Sequence, residues 1–178
     1  LFFLGNTDPK KNTPGTLKAY AEYVRRSENP LPLLVADLGE QPAEAILREI
    51  GEPRLRGMLR LAGYIPNSDL PAIYNRASAF LYTSLRESFG IPQLEAMACG
   101  TPVVTSATSA IPEVAGEGAI LADQTDPKAI ADALLRLETD AAFRARQVAY
   151  GLERVKRFSW EKTARHLLAL YESLGKTN

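Results

Sequence analysis

The strongest constraint on the fold is an alternation along the chain. Six short apolar runs, at 1–5, 31–36, 58–64, 79–84, 102–106 and 119–122, are poor in charge and mostly bounded by Gly, Pro, Asn or Asp. Such runs suit strands buried on both faces of a sheet. Between the first five, residues 14–27, 42–50, 68–75 and 91–99 repeat apolar side chains at three- and four-residue intervals, the period of a helix with one buried face. Strands that alternate with helices pack as α/β. The expected fold is a Rossmann-like, doubly wound parallel sheet of about six strands with helices on both faces. Past Asp123 the alternation stops and three helical stretches follow without a strand. Residues 127–138 start on Asp126 as cap with Pro127 at the first helical position, and 141–155 carry mixed charge on an apolar stripe. The last, from Ser159, spaces Trp160, Ala164, Leu167, Leu168, Tyr171 and Leu174 along one face, which is expected to be buried. Residues 1–178 therefore read as one domain with a helical tail from position 124.

A chain of 178 residues can bury roughly 70% of its unfolded surface, so it folds without staples. Its single cysteine, Cys99, excludes an internal disulfide framework, and with one histidine, His166, it leaves too few ligands for a usual zinc site. Cys99 reads as a small buried hydrophobe and His166 as a surface residue on the last helix. The 21 basic and 21 acidic residues cancel, which argues against a broad nucleic-acid surface or a polybasic membrane anchor. Arg144, Arg146, Arg154, Lys156 and Arg157 read as a solvated helix face. No run approaches the ~20 apolar residues of a membrane span, and a reducing, cytoplasmic setting is expected. The chain begins at Leu1, without methionine and already inside an apolar run, so it is expected to be a piece of a longer protein.

The most informative stretch is TSLRESFGIPQLEAMACGTPVVT, residues 83–105. A strand ends near Ser84, a loop carries Glu87, Gly90 permits close backbone approach, and Pro92 sits in the first turn of a helix, where its missing amide costs nothing. The free amides of Phe89, Gly90 and Ile91, with the positive end of the helix dipole, then face the crevice beyond the strands' carboxyl ends. Glu87 in the loop and Glu95 about a turn inside the helix can accept paired hydrogen bonds from vicinal hydroxyls of one bound molecule. The same letters are also good capping chemistry in any protein. The first turn, LGNTDPKKNTPG, places Asn6, Lys10 and Lys11 between a strand and a helix, where a lysine reaches phosphate, although taken by itself the turn reads better as two solvated lysines in a polar loop. In AGYIPNSDL, Tyr64 and Ile65 end a strand at the same rim as Glu87 and could hold a flat base, or form a plain turn capped by Ser68 or Asp69. Neither G-x-G-x-x-G nor G-x-x-x-x-G-K-[ST] occurs, which weakens a nicotinamide dehydrogenase or an ATPase.

Taken together, the Glu-x7-Glu segment ESFGIPQLE followed by EAMACGTPVV resembles the donor-binding, C-terminal half of the retaining GT-B glycosyltransferases of family GT4. The likeness extends over LGNTDPKKN, LAGYIPNSDLPAIYNRASAFLYTS, IPEVAGEGAILAD and FSWEKTARHLLALYESL, nearly the whole chain. It implies a nucleotide-diphosphate sugar as donor, no resident cofactor or metal, and transfer of a hexosyl group to a glycan or lipid-linked acceptor. The resemblance assigns Glu87 to the transferring sugar, Glu95 to the ribose hydroxyls, the Phe89, Gly90 and Ile91 amides to sugar and phosphate, Lys11 to phosphate, and Tyr64 and Ile65 to the border of the base. It also implies a separate N-terminal acceptor domain, against which the final helix packs, an inactive isolated half, and a full-length protein that can sit peripherally at the inner face of a membrane. One departure stands out: the arginine that usually follows the first-strand glycine is Asn6 here, with Lys10 as a substitute charge nearby. A non-catalytic nucleotide- or anion-binding module and a sugar-nucleotide epimerase of the same architecture remain the alternatives.

Overall fold

The computed structural model describes residues 1–175. Strands β1 (Phe2–Leu4), β2 (Leu33–Ala36), β3 (Leu59–Gly63), β4 (Phe80–Tyr82), β5 (Val103–Ser106) and β6 (Ile120–Ala122) form one sheet in the order β3-β2-β1-β4-β5-β6. Every ladder is parallel. The helices are α1 (Thr13–Arg26), α2 (Glu40–Glu49), α3 (Leu70–Arg76), α4 (Ile91–Ala98), α5 (Ile111–Ala115), α6 (Pro127–Thr139), α7 (Ala141–Val155) and α8 (Trp160–Gly175). The winding reverses between β1 and β4, the switch point at which a doubly wound sheet has its crevice at the carboxyl rim.

Alternation within β1 separates two cores. Phe3 joins Val35, Leu81 and Val104 against Leu17 and Tyr20 of α1, Leu47 of α2 and Leu134 of α6. Phe2 turns to the other face, with Phe80, Tyr82 and Val103 against Tyr74 of α3, Met97 of α4 and Ile111 of α5. There Phe2, Tyr74 and Phe80 pack with ring centroids 5.2–5.5 Å apart, a geometry worth about 0.5–1.5 kcal/mol per pair beyond the buried area.

The strands are shorter than the apolar runs, and hydrogen-bond competition explains it. The run that opens at Leu31 pairs only from Leu33, because the buried hydroxyls of α1 take both backbone groups of Leu31: Tyr20 donates to its carbonyl at 2.9 Å and Tyr23 accepts from its amide at 3.1 Å. Pro30 and Pro32 supply no amide there. The run through Ser84 stops pairing at Tyr82, since the Thr83 carbonyl accepts from Asn12 Nδ2 and the Ser84 carbonyl from Ser106 Oγ. Burial on both faces holds for β4 and β5 and fails at the edges, where Arg60, Ala62 and Leu121 face solvent.

Asp126 caps α6 through the Lys128 amide, with Pro127 in the first turn, as its sequence indicated. Within the helical tail α6 buries Ile130, Leu134 and Leu137, and α7 sets Gly151 against Met97 of α4. The expected burial of the last helix is corrected. No described residue of α8 is buried, and Trp160 is 82% exposed, because no other described element covers its apolar face. Arg154 is not part of a solvated face either: its guanidinium donates to the carbonyls of Glu113 and Val114 and lies 5.1 Å from the Phe158 ring. Cys99 is only partly buried at the end of α4.

Candidate functional site

The loop after β1 is built to hold one lysine in place. Asn6 Oδ1 accepts from the Asp8 amide at 2.9 Å, and Asp8 caps a single 3-10 turn, Pro9–Lys11, through the Lys10 amide. Asn12 then adopts a left-handed φ of 54° and donates through Nδ2 to the carbonyls of Thr83 and Gln124. The Leu85 amide donates to the Lys10 carbonyl at 2.7 Å, which staples this loop to the one after β4. The turn sends Lys10 and Lys11 in different directions. Lys10 pairs with Asp8 at 3.2 Å on the surface, whereas Lys11 Nζ donates to Glu87 Oε1 at 2.8 Å, with 21% and 15% of the two side chains exposed.

Burial, the largest single influence, would raise the Glu87 pKa, but the Lys11 ammonium and the hydrogen bonds from Ser84 and Tyr82 together outweigh it and hold this carboxyl below the ordinary glutamate range. Tyr82 lies under the pair, 5.6 Å from Lys11 Nζ, and burial followed by the nearby Glu87 charge pushes its hydroxyl far up. The site at rest therefore holds a charged Glu87 against Lys11 and a neutral Tyr82. Because Glu87 has a lowered folded-state pKa, the stability contributed by the pair is present above the ordinary glutamate value and is lost as pH falls through Glu87's own lower value. The Glu87 carboxyl carbon is expected to titrate below the ordinary glutamate value by NMR, with no change between about pH 6 and 8. A midpoint at or above the ordinary value would show the pair unmade.

Gly90 caps α4 at a φ of 90°, where a Cβ would meet Gln93 Nε2 at 2.8 Å and Tyr82 Cε1 at 3.1 Å. That conformation, closed to larger residues, starts α4 beside Glu87. Phe89 leans edge-on against Phe158 at 5.7 Å, and Ile91 is 46% exposed. One turn into α4, Glu95 accepts from Tyr74 at 3.2 Å and lines a cleft of about 240 Å³ with Ile91, Tyr64 and Ile65. The fold thus brings Lys11 to Glu87, and Glu95 to Tyr64, Ile65 and Ile91, at the same rim and on either side of the α4 N-terminus. Lys10 is directed away to Asp8, and the Asn6 side chain is spent inside its own loop. The N-cap of α3 is Asp69, without a side-chain capping bond. Three residues of the rim escaped sequence reasoning: Asp37, which follows β2 at a φ of 60° and lines the cleft, Asn67 in the same lining, and Ser109 beside Glu87. Asp37 was accessible to the strand-end argument that found Glu87, had it been applied to β2.

A doubly wound, all-parallel sheet with charged and hydroxyl-accepting groups gathered at its carboxyl rim around the switch point defines an α/β domain of the Rossmann-like class. The chain belongs to the glycosyl transferases group 1, whose family model matches residues 1–154. It is 34% identical over 172 residues to the O-antigen chain mannosyltransferase B of Escherichia coli, covering 97% of this chain and 45% of that protein. Sucrose-phosphate synthase from Thermosynechococcus elongatus superposes with a TM-score of 0.81 at 27% identity, over 99% of this chain and 45% of that one. HepE of Anabaena, solved in complex with UDP, has the same fold at a TM-score of 0.81 and 17% identity, over 97% of this chain and 48% of that one. The chain spans less than half the length of either of these two proteins, O-antigen chain mannosyltransferase B and sucrose-phosphate synthase. Among the described residues no helix is long and apolar enough to cross a membrane.

Proposed function

We propose that this chain is the donor-binding half of a transferase that moves a hexosyl group from a nucleotide-diphosphate sugar to a glycan or lipid-linked acceptor. The observation that carries the reading is the Lys11–Glu87 pair at the start of α4 with Glu95 one turn inside the same helix. Lys11 and the amides of Gly90 and Ile91 receive the diphosphate, since an ammonium and a helix N-terminus both favour a dianion. Glu87, released from Lys11 as phosphate arrives, accepts from hydroxyls of the transferring sugar. Glu95 accepts from the ribose hydroxyls, and the base lies in the cleft beside Tyr64 and Ile65. The sugar–phosphate bond breaks with its electrons on the diphosphate, where Lys11 and the amides stabilise the growing charge. The acceptor oxygen attacks from the face the diphosphate leaves, its proton passing to a departing phosphate oxygen, and configuration is retained. No step requires a metal. An acceptor domain completes the enzyme and covers the apolar face of α8, so the present chain binds donor without turnover.

Calorimetry with UDP-, GDP- and ADP-hexoses tests this. One of them is expected to bind, and Glu95→Ala to weaken it by about tenfold or more, the loss of a charged acceptor for two hydroxyls. Binding by none, or equal binding by the variant, would remove the assignment. One observation favours the reading of a non-catalytic nucleotide module instead: Asn6 is locked in its own loop and supplies no second cation. Activity of the full-length protein that vanishes with Glu87→Gln separates the two.

A further inference from the structure

Both backbone groups of Glu87 are held by one side chain. Ser109 Oγ accepts from the Glu87 amide at 3.2 Å and donates to the Glu87 carbonyl at 2.6 Å. It is the outermost of three hydroxyls that climb β5 and the segment after it and reach the β4 side in turn. Thr105 Oγ1 donates to the Tyr82 carbonyl at 2.9 Å and Ser106 Oγ to that of Ser84 at 2.6 Å, both in the interior. Ser109 alone stands at the solvent-exposed rim. Its φ is +61°, a left-handed conformation that disfavours a residue with a Cβ and admits glycine freely. The hydroxyl thus occupies a place where the backbone alone would favour glycine. The position of Ser109 is itself fixed from behind: the next residue, Ala110, is the N-cap of α5, and the far end of α5 is gripped by Arg154 through the carbonyls of Glu113 and Val114.

We propose that Ser109 is the positioning residue for Glu87. By fixing the amide and the carbonyl of Glu87 it leaves only side-chain rotation free, so the carboxylate swings between Lys11 and the adjoining space without loss of the loop path. A group placed in this way meets sugar hydroxyls without first ordering its own backbone, which is the advantage of preorganisation. The backbone clamp is independent of any ligand. Its consequence for sugar rests on the donor-binding reading given above.

The test compares Ser109→Ala, which removes the hydroxyl and keeps the unfavourable φ, with Ser109→Gly, which removes both, in the 178-residue chain. Both variants are expected to speed hydrogen exchange at the Glu87 amide by about tenfold, as opening of that segment becomes easier. Both should raise the Glu87 titration midpoint toward the ordinary value. UDP-glucose and GDP-mannose are expected to lose affinity by about three- to tenfold relative to UDP and GDP, whose binding stays unchanged because the diphosphate contacts remain. A structural lesion would weaken nucleotide and nucleotide sugar alike. If Ser109→Gly behaves as wild type while Ser109→Ala does not, the effect belongs to the backbone and the proposal is overturned. It is equally overturned if amide exchange at Glu87 is unchanged in both. Should wild type bind none of the four nucleotides, the donor reading fails, and exchange and titration still decide whether Ser109 positions Glu87.

Discussion

Replacing Lys11 by methionine is expected to weaken nucleoside-diphosphate binding by about 10- to 100-fold, the worth of a charge-assisted phosphate contact. Methionine keeps an unbranched stem beside Tyr82 and removes only the ammonium. The change also leaves Glu87 largely shielded from solvent with no cation beside it. Burial, the largest single influence on this carboxyl, is then opposed only by the hydrogen bonds from Ser84 and Tyr82, and the carboxyl pKa rises. The pH dependence of stability should therefore reverse at this site. The native chain loses the stabilisation of the pair as pH falls through the lowered Glu87 value, whereas the variant is strained at neutral pH and relieved as Glu87 takes up a proton. Urea midpoints at about pH 7 and pH 5 read the difference directly. Lys10→Met is the control, expected to change diphosphate affinity by no more than about twofold, because an exposed lysine paired with Asp8 is well solvated. Equal losses from the two variants would mean that charge density near the loop, not the placement of Lys11, attracts the ligand.

That only one of two adjacent lysines reaches Glu87 marks the boundary of what the sequence discloses. The strand–helix alternation made the α/β class and the parallel sheet readable, and the Pro-Gly punctuation around α4 made its start readable to within a residue. Strand order is another matter, since β1 and β4 become neighbours through pairing that no local pattern encodes. Glu87 and Lys11 could each be named as candidates from their loops, but their meeting across 76 positions depends on the 3-10 turn that Asp8 caps and on the left-handed Asn12. Ser109 lay beyond local pattern for a related reason: it is a non-glycine residue at positive φ, and only the surrounding structure imposes such a conformation. The α8 stripe shows the converse: its apolar pattern was legible while its burial was not, because a helical period reveals that a face wants covering without saying by what. Arg154 escaped too, since a basic residue among other basic residues gives no sign that its guanidinium will reach two carbonyls on α5.

Glu87→Gln should produce effects of opposite sign on nucleotide and on turnover, and this asymmetry distinguishes a catalytic carboxylate from a structural one. Glutamine has the size and reach of glutamate, so the Ser109 clamp and the start of α4 remain intact. What disappears is the negative charge that occupies Lys11 before a ligand arrives. An incoming diphosphate no longer competes with Glu87 for the ammonium, so affinity for the nucleoside diphosphate is expected to stay level or to rise by about two- to fivefold, the modest worth of a partly shielded ion pair. The nucleotide sugar gains less, because an amide accepts sugar hydroxyls more weakly than a carboxylate does. On the proposed reading, the full-length protein should show the loss chiefly in kcat, by about 10²- to 10³-fold, since positive charge developing on the sugar carbon would lose the carboxylate beside it. The donor KM should hold or fall. A variant with normal kcat and a raised donor KM would make Glu87 a binding group for the ground state only. One that weakens nucleoside diphosphate and nucleotide sugar alike would make it a support for the loop, and would return Lys11 to the role of an ordinary ion-pair partner.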